Sequence, residues 1–338
     1  MLVETFPRLA IRLRSTFPDA QIRLLNKASA LSVSFPAFPA WEVEVSGSNA
    51  DEKGQFQILQ SSITLRYECL QDVPAEDFHK FIAAENLGLR GTTILVDEEH
   101  GKRTLKIRST FIGQKGRTRD EAENVAMDVL SLLRFARLLE DRIVRSVGTD
   151  ETFNYDLYYS TYLSKSIGRN RFINYARSIF QGSTERVFGQ VASMLKEDYK
   201  YKVNFSRNYV ATITAPDSNL EIIMRIPEEI PMLTCSAAIY IAAWEPTKSF
   251  DLVARLNSKM KMGHFEVNAD GSLISFVTWK HLTNDLRYYS LDQMVSAVRE
   301  AQRLLMAEIE MNPPVWKSTS GEQLKQQASS LDAYRSAA

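Results

Sequence analysis

Residues Tyr201–Met224 read YKVNFSRNYVATITAPDSNLEIIM, and a similar arrangement occurs earlier, at Ile22–Val45, as IRLLNKASALSVSFPAFPAWEVEV. In both stretches a strand-forming run leads to a proline turn, and a second strand-forming run follows. The two stretches lie about 180 residues apart, a fixed offset that indicates an internal duplication. A chain of 338 residues has the length expected of two domains, so we interpret it as two tandem repeats.

The elements that follow these stretches recur as well, at an offset of about 170 residues. Each repeat continues with a helix, a hairpin and a long helix, at Phe78–Gly88, His100-Gly101 and from Thr118 in the first, and at Phe250–Gly263, Asp270-Gly271 and from Ser290 in the second. Each repeat is therefore predicted as α-β-β-β-α-β-β-α. Neighbouring strands joined by short turns favour antiparallel sheets packed with helices, which is an α+β fold.

This duplication divides the chain into four predicted segments. The first repeat spans residues 1–146 and the second spans residues 183–312. The segment between them, 147–182, is rich in Tyr and Phe and is too aromatic to stay in water, so we expect it to pack on the domains. Residues 313–338 are dominated by Ser, Gln, Lys and Ala and are expected to form a weakly ordered tail.

Charge and cysteine content limit the functional classes. The 41 basic and 41 acidic side chains balance, which argues against a nonspecific nucleic-acid binder. Cys69 and Cys235 lie in predicted strands at roughly equivalent positions of the two repeats, and they are expected to be buried thiols of a reducing compartment. Charged residues interrupt any signal-peptide core near the start, and the uncharged run Pro231–Trp244 is too short to cross a bilayer as a helix. We therefore expect a cytoplasmic protein.

The segment Asn257–Gly271 carries a helix that ends in NSKMKMG and continues into a hairpin that turns at Asp-Gly. This combination resembles the YbjN-like branch of the type III secretion chaperone-like fold. Repeat 1 matches more loosely, with Glu85-Asn86 near the asparagine position and His100-Gly101 at the turn. The resemblance implies a small α+β module that dimerises and binds extended polypeptide, or acts as a regulator, without cofactor or catalysis.

Two departures from that family bear on the oligomeric state. Its chaperones are usually acidic and consist of one module, whereas this chain is neutral and carries two modules. A tandem copy can mimic the family's dimer within one chain. We therefore expect either a monomeric pseudo-dimer or a homodimer.

The most sharply biased segment of the sequence is a basic hairpin in repeat 1. Its candidate anion- or partner-binding residues are Lys102, Lys106, Arg108, Lys115, Arg117 and Arg119. On a strand, the first three point to one face of the sheet, and we expect them to be exposed. The row either seats a phosphate, an acidic peptide or a nucleic-acid backbone, or it is a solvated face balanced by acidic residues at its borders.

The equivalent strand of repeat 2 is almost uncharged and carries Ser275, Val277 and Trp279 where the basic row of repeat 1 lies. These residues form a second candidate surface. Either they bind a ligand, or they are covered by the other repeat or by a dimer partner.

Signatures of catalysis or of metal binding are missing from the sequence. The four histidines lack the spacing of metal ligands, and no Ser or Cys lies in a nucleophile-elbow context. We expect no enzyme activity, no metal, no cofactor and no membrane partner. The favoured function is chaperone-like or adaptor-like binding of another protein or an extended peptide. The alternative is a regulatory domain that binds an anionic ligand or nucleic acid through the basic hairpin, although nucleic acid is the less favoured partner.

Overall fold

The computed structural model describes most of both repeats. The described residues are 5–25, 29–49, 56–87, 89, 91–99, 102–114, 118–148, 151–154, 183–197, 201–205, 209–214, 221–226, 232–240, 246–268, 270–282 and 288–311. The aromatic stretch from Tyr155 to Phe180, Lys115, Arg117 and the predicted tail lie outside these residues.

Repeat 1 is a six-stranded antiparallel sheet with helices packed on it. Its elements are α1 (Thr5–Thr16), β1 (Gln21–Leu25), β2 (Ala30–Phe35), β3 (Phe38–Asn49), β4 (Phe56–Leu65), α2 (Ala75–Asn86), β5 (Thr93–Glu99), β6 (Lys102–Gln114) and α3 (Thr118–Arg145). The strand order across the sheet is β1-β2-β3-β4-β6-β5.

Repeat 2 has the same element order. Its elements are α4 (Thr184–Glu197), β7 (Lys202–Phe205), β8 (Val210–Thr214), β9 (Glu221–Arg225), β10 (Met232–Tyr240), α5 (Pro246–Lys259), β11 (His264–Val267), β12 (Leu273–His281) and α6 (Tyr288–Met311). The strand order β7-β8-β9-β10-β12-β11 reproduces that of repeat 1. The predicted α+β class with two antiparallel sheet–helix units is confirmed, and the two units are consistent with a duplication.

Each repeat has one strand more than the sequence predicts. The additional strands are β1 and β7, which precede the strands predicted first in each repeat and pair antiparallel with β2 and β8. Each unit is therefore α-β-β-β-β-α-β-β-α. Both strands form the outer edge of their sheet.

Hydrophobic periodicity explains why these segments adopt these structures. In β3, Trp41, Val43 and Val45 are buried while Glu42 and Glu44 are exposed, the alternation of a strand with one covered face. In α1 the buried residues Phe6, Leu9, Ala10 and Leu13 recur at helical spacing. They join the strands and α3 in one apolar core.

One asparagine in each repeat joins the middle helix to the strand that follows. The Asn86 side-chain amide donates to the Ile94 carbonyl at 3.0 Å, and its oxygen accepts from the Ile94 backbone N–H at 2.8 Å. Asn257 makes the same two bonds with Phe265, at 3.0 and 2.6 Å. Because both asparagines are buried and bond to the residue eight positions ahead, the duplication extends to individual hydrogen bonds.

The prediction for the cysteines is correct for one of them. Cys235 is a buried residue of β10, as expected. Cys69 lies in a short 3-10 helix, Glu68–Leu70, and is half-buried. According to the strand registers, Cys235 corresponds to Ser61 of repeat 1. The two thiols are therefore not equivalent.

Candidate functional site

The strand registers connect one residue from each strand of repeat 1 into a straight row on the outer face of the sheet, away from the core. The row consists of Arg23, Ser32, Glu44, Ser62, Arg108 and Thr93. The corresponding row of repeat 2 consists of Asn204, Thr212, Ile223, Ser236, Val277 and His264. The first row carries charged side chains and the second has no Lys, Arg, Asp or Glu, so the two outer faces differ chemically.

The two rows meet at equivalent residues. Thr93 and His264 are the first residues of β5 and β11, and Thr93 Oγ1 lies 3.1 Å from His264 Nδ1. The helices α2 and α5 also pack against each other, and each contacts the other repeat's strand, β11 or β5. Equivalent elements therefore face one another across the junction, as they do across a twofold axis.

His264 is fully buried at this junction. Its Nε2 lies 3.1 Å from the Asn86 carbonyl oxygen and 3.3 Å from Glu266 Oε1. Both neighbours are acceptors, so Nε2 carries the proton and donates. The Thr93 hydroxyl then donates to Nδ1 when the ring is neutral. The imidazole thus contacts polar groups of both repeats. Each of these buried groups would be unfavourable without a hydrogen-bond partner.

A second polar contact joins β12 to repeat 1. His281 Nε2 lies 3.2 Å from Asp128 Oδ1 on α3, and the Ser109 hydroxyl donates to the same oxygen at 2.7 Å. The His281 and Asp128 side chains are both buried. At the surface, His79 Nδ1 lies 2.5 Å from Asp251 Oδ1.

Apolar packing also crosses the junction. Ala83 of α2 and Ile112 of β6 belong to the hydrophobic core of repeat 2 rather than to that of repeat 1. The two repeats are therefore joined through a shared core and not only through a tether.

The candidate surface of Ser275, Val277 and Trp279 is not an open ligand surface. All three residues are buried, and the ring centroids of Trp279 and His264 lie 5.3 Å apart. Every residue of β12 is buried. This burial agrees with the interpretation that the strand is covered, and a ligand-binding role for these residues stays a prediction.

The basic hairpin is only partly exposed. Lys102 is exposed and Lys106 is half-buried, but Arg108 is only 7% exposed, so the expectation that it is solvated is wrong. Burial lowers the pKa of Arg108 to about 10, so the guanidinium remains charged at neutral pH. The side chain of Arg119 lies outside the described residues, like Lys115 and Arg117. A binding role for these residues stays a prediction.

Sequence reasoning missed one feature of both repeats, the outer edge. Leu24 on β1 is 44% exposed and Phe205 on β7 is 48% exposed. Arg23 and Asn204 hold the same position in the two rows. The residues that follow them, Leu24 and Phe205, are therefore equivalent as well. No described strand pairs with the outer side of β1 or β7. The signal was present as a short apolar run, but β1 and β7 are too short to show a clear period.

The described part of the chain offers little for metal chemistry. Within it, no three His, Cys, Asp or Glu residues are grouped so that they could hold a metal ion.

A transmembrane helix is not found either: in the segments that the structure describes, every helix is too short or too polar to span a bilayer.

The fold and the junction together define a fused two-repeat α+β protein with pseudo-twofold packing. No protein-family model and no curated protein matches the chain. Among solved structures, YbjN from E. coli is similar over 40% of this chain and 97% of its own length, with 10% sequence identity and a TM-score of 0.30. At this sequence identity and TM-score the two proteins share a fold at most, and nothing about function follows from the similarity.

Proposed function

We propose that this chain is a non-enzymatic, polypeptide-binding adaptor whose outer edge strands, β1 and β7, each accept an extended segment of a partner protein. An extended segment that pairs with an open edge satisfies the backbone N–H and C=O groups of both strands. The bound segment would form a seventh strand of the sheet. Specificity would come from side chains beside the edge.

The observation that carries this proposal is the equivalence of Leu24 and Phe205. Single exposed apolar residues are common on protein surfaces. Here, however, two repeats with very different outer faces both place a large, half-exposed apolar side chain on the same edge strand. Covering the exposed half of such a side chain contributes about 1 kcal/mol, in addition to the new backbone hydrogen bonds.

The charges beside the edges indicate the chemistry of the partner segment. Arg23 neighbours Leu24, and the outer face of α1 carries the exposed residues Arg8 and Arg12. In repeat 2, Lys196 Nζ lies 4.8 Å from the centroid of the Phe205 ring. Positive charge opposes pairing between two identical edges and favours a segment in which apolar residues alternate with acidic ones.

A displayed library of extended peptides tests the proposal. The wild-type protein is expected to enrich peptides with alternating apolar and acidic residues. The Leu24→Glu, Phe205→Glu double variant should lose most of this enrichment, because each change places a carboxylate where the peptide's apolar side chain would pack.

The matched control changes two exposed apolar residues that lie on the helices α3 and α6 and not on an edge strand, Val144→Glu and Met306→Glu. This variant should enrich the same peptides as the wild type. If the edge variant and the control variant retain the same peptides, the edges are not the binding site.

Binding of an anionic ligand through the basic hairpin is the second candidate function, and buried Arg108 is the observation that favours it. An extended polyanion such as nucleic acid is disfavoured, because its backbone would have to reach a side chain that is 7% exposed. A small anion does not meet this obstacle. Steep loss of affinity with salt would separate polyanion binding from peptide capture.

A further inference from the structure

We propose that repeat 1 contains a binding site for a small oxyanion, a phosphate or a carboxylate, on the outer face of its sheet around the Arg108 guanidinium. This site is separate from the edge strands and does not depend on the polypeptide-binding function.

Arg108 is a buried cation without a counter-ion among the described residues. Its Nη2 atom is shielded from solvent and has no hydrogen-bond partner. Among the described residues the structure gives Arg108 no ion pair. Burying an unpaired charge is unfavourable, so such a side chain is normally matched by an anion. An arginine fork also has the geometry to bind a carboxylate or phosphate through two parallel hydrogen bonds.

Polar side chains surround the position of Arg108 on this face of the sheet. Thr110 lies two residues further along β6 on the same face, about 7 Å away, and its buried hydroxyl also has no partner. Half-buried Lys106 lies two residues before Arg108 on that face. Ser62 and Thr93 flank Arg108 directly on the neighbouring strands. Arg108, Thr110, Lys106 and Ser62 supply donors to a ligand that only accepts, whereas the Thr93 hydroxyl already donates to His264.

The nearest carboxylate in the row does not replace such a ligand. Glu44 is exposed and is separated from Arg108 by β4, which corresponds to two strand spacings, or about 10 Å. In repeat 2 the positions equivalent to Arg108 and Thr110 are Val277 and Trp279, so that repeat has no cation there. The proposed site therefore belongs to repeat 1 alone.

The experiment measures thermal unfolding and isothermal titration with inorganic phosphate and, in a second series, with acetate. Chloride holds the ionic strength constant throughout. Wild-type protein should show a midpoint that rises with the concentration of one of the two anions, together with a saturable heat of binding for that anion. The anion that binds more tightly identifies the ligand class.

The variant Arg108→Met keeps the apolar stem and removes the charge. Its affinity for the anion should fall at least about tenfold, while its midpoint in chloride equals or exceeds that of the wild type. Thr110→Val should weaken binding less, and Arg108→Lys, which keeps the charge but not the fork, should also weaken it. The control is Arg145→Met, which removes an exposed positive charge on α3, and it should bind as the wild type does.

Two results would overturn the proposal. One is a wild-type protein whose midpoint and heats show no saturable response to phosphate or acetate. The other is an equal response of the wild type, Arg108→Met and Arg108→Lys, which would place the anion elsewhere. If Arg108→Met does not fold, Arg108→Lys and Thr110→Val decide between these outcomes.

Discussion

Asn86 and Asn257 make the same pair of hydrogen bonds in the two repeats, and both side chains are buried. Each amide satisfies one backbone N–H and one backbone C=O at the start of the hairpin. If the amide is removed, these two backbone groups are left without a hydrogen-bond partner. The Asn86 backbone carbonyl also contacts His264, so this residue lies between its own repeat and the junction.

Asn86→Ala and Asn257→Ala are each expected to lower the free energy of unfolding by about 2–4 kcal/mol, because each leaves two buried backbone groups unpaired. Urea-induced unfolding followed by circular dichroism measures the change. Asn204→Ala, at an exposed position on β7, should change stability by less than about 0.5 kcal/mol. Equal effects at all three positions would contradict the assignment.

The sequence identified the two asparagines and the faces of the strands, but not what covers those faces. Alternation along β6 correctly placed Lys102, Lys106 and Arg108 on one side. It could not show that Arg108 is buried. A period-two pattern shows on which face of the sheet a side chain lies, but it does not show whether anything packs against that face.

At the scale of elements, the turn between α5 and β11 depends on one glycine. Gly263 has a φ of +73°, and an added Cβ would lie 2.4 Å from the Val277 carbonyl oxygen and 2.6 Å from the Phe276 ring. Backbone atoms of a central strand cannot move away cheaply. Gly91, before β5, also has a positive φ of +89°, but a Cβ there would meet the flexible end of Met232 at 3.3 Å.

Alanine at three glycines should therefore have graded effects on urea unfolding. Gly263→Ala should cost at least about 2 kcal/mol, from the left-handed backbone and the backbone clash together. Gly91→Ala should cost about 1–2 kcal/mol, mainly from its φ. Gly189→Ala should stabilise by about 0.5–1 kcal/mol, because Gly189 is exposed inside α4 with nothing near the added Cβ. The reverse order would show that the turn geometry is not as described.

The long elements were predictable because they contain several periods of their pattern. The helix α3 buries residues at i, i+4 and i+7 along much of its length, such as Val125, Val129 and Leu132, and it begins at Thr118, as predicted. The strands β1 and β7 have five and four residues, which is too short for alternation to be recognised. Because they are edge strands, they also lack the continuous apolar run of a strand that is buried on both faces.

At the scale of the molecule, the shared core predicts that the two repeats unfold together. Cys235 provides a natural reporter of this coupling. It is fully buried in repeat 2, and burial raises its pKa to about 12. At pH 8 the thiol is protonated and inaccessible, so a thiol reagent reaches it only when repeat 2 opens.

Leu31→Ala removes core volume from β2 of repeat 1, far from Cys235 in the sequence, and should destabilise by about 2–5 kcal/mol. If the repeats are coupled, Cys235 labelling should accelerate at least about tenfold. Ile11→Ala, at an exposed position on α1, should leave the labelling rate unchanged. Independent repeats would instead show unchanged Cys235 labelling in both variants. Mass spectrometry separates this signal from that of Cys69.

The presence of two repeats could be predicted from internal similarity, but their mode of packing could not. Contacts such as His264 with Thr93 and His281 with Asp128 join residues more than 150 positions apart, and no local pattern encodes them. The sequence left two interpretations of Trp279 open, and it could not show that this side chain is buried.

The meeting of Thr93 with His264 has a consequence for stoichiometry. Two separate copies of repeat 1 joined in the same way would place hydroxyl against hydroxyl, and two copies of repeat 2 would place two buried imidazoles against each other. Only unlike halves place a hydroxyl against an imidazole at this position. Because one chain carries both halves, the one-to-one ratio is fixed by synthesis and does not depend on protein concentration.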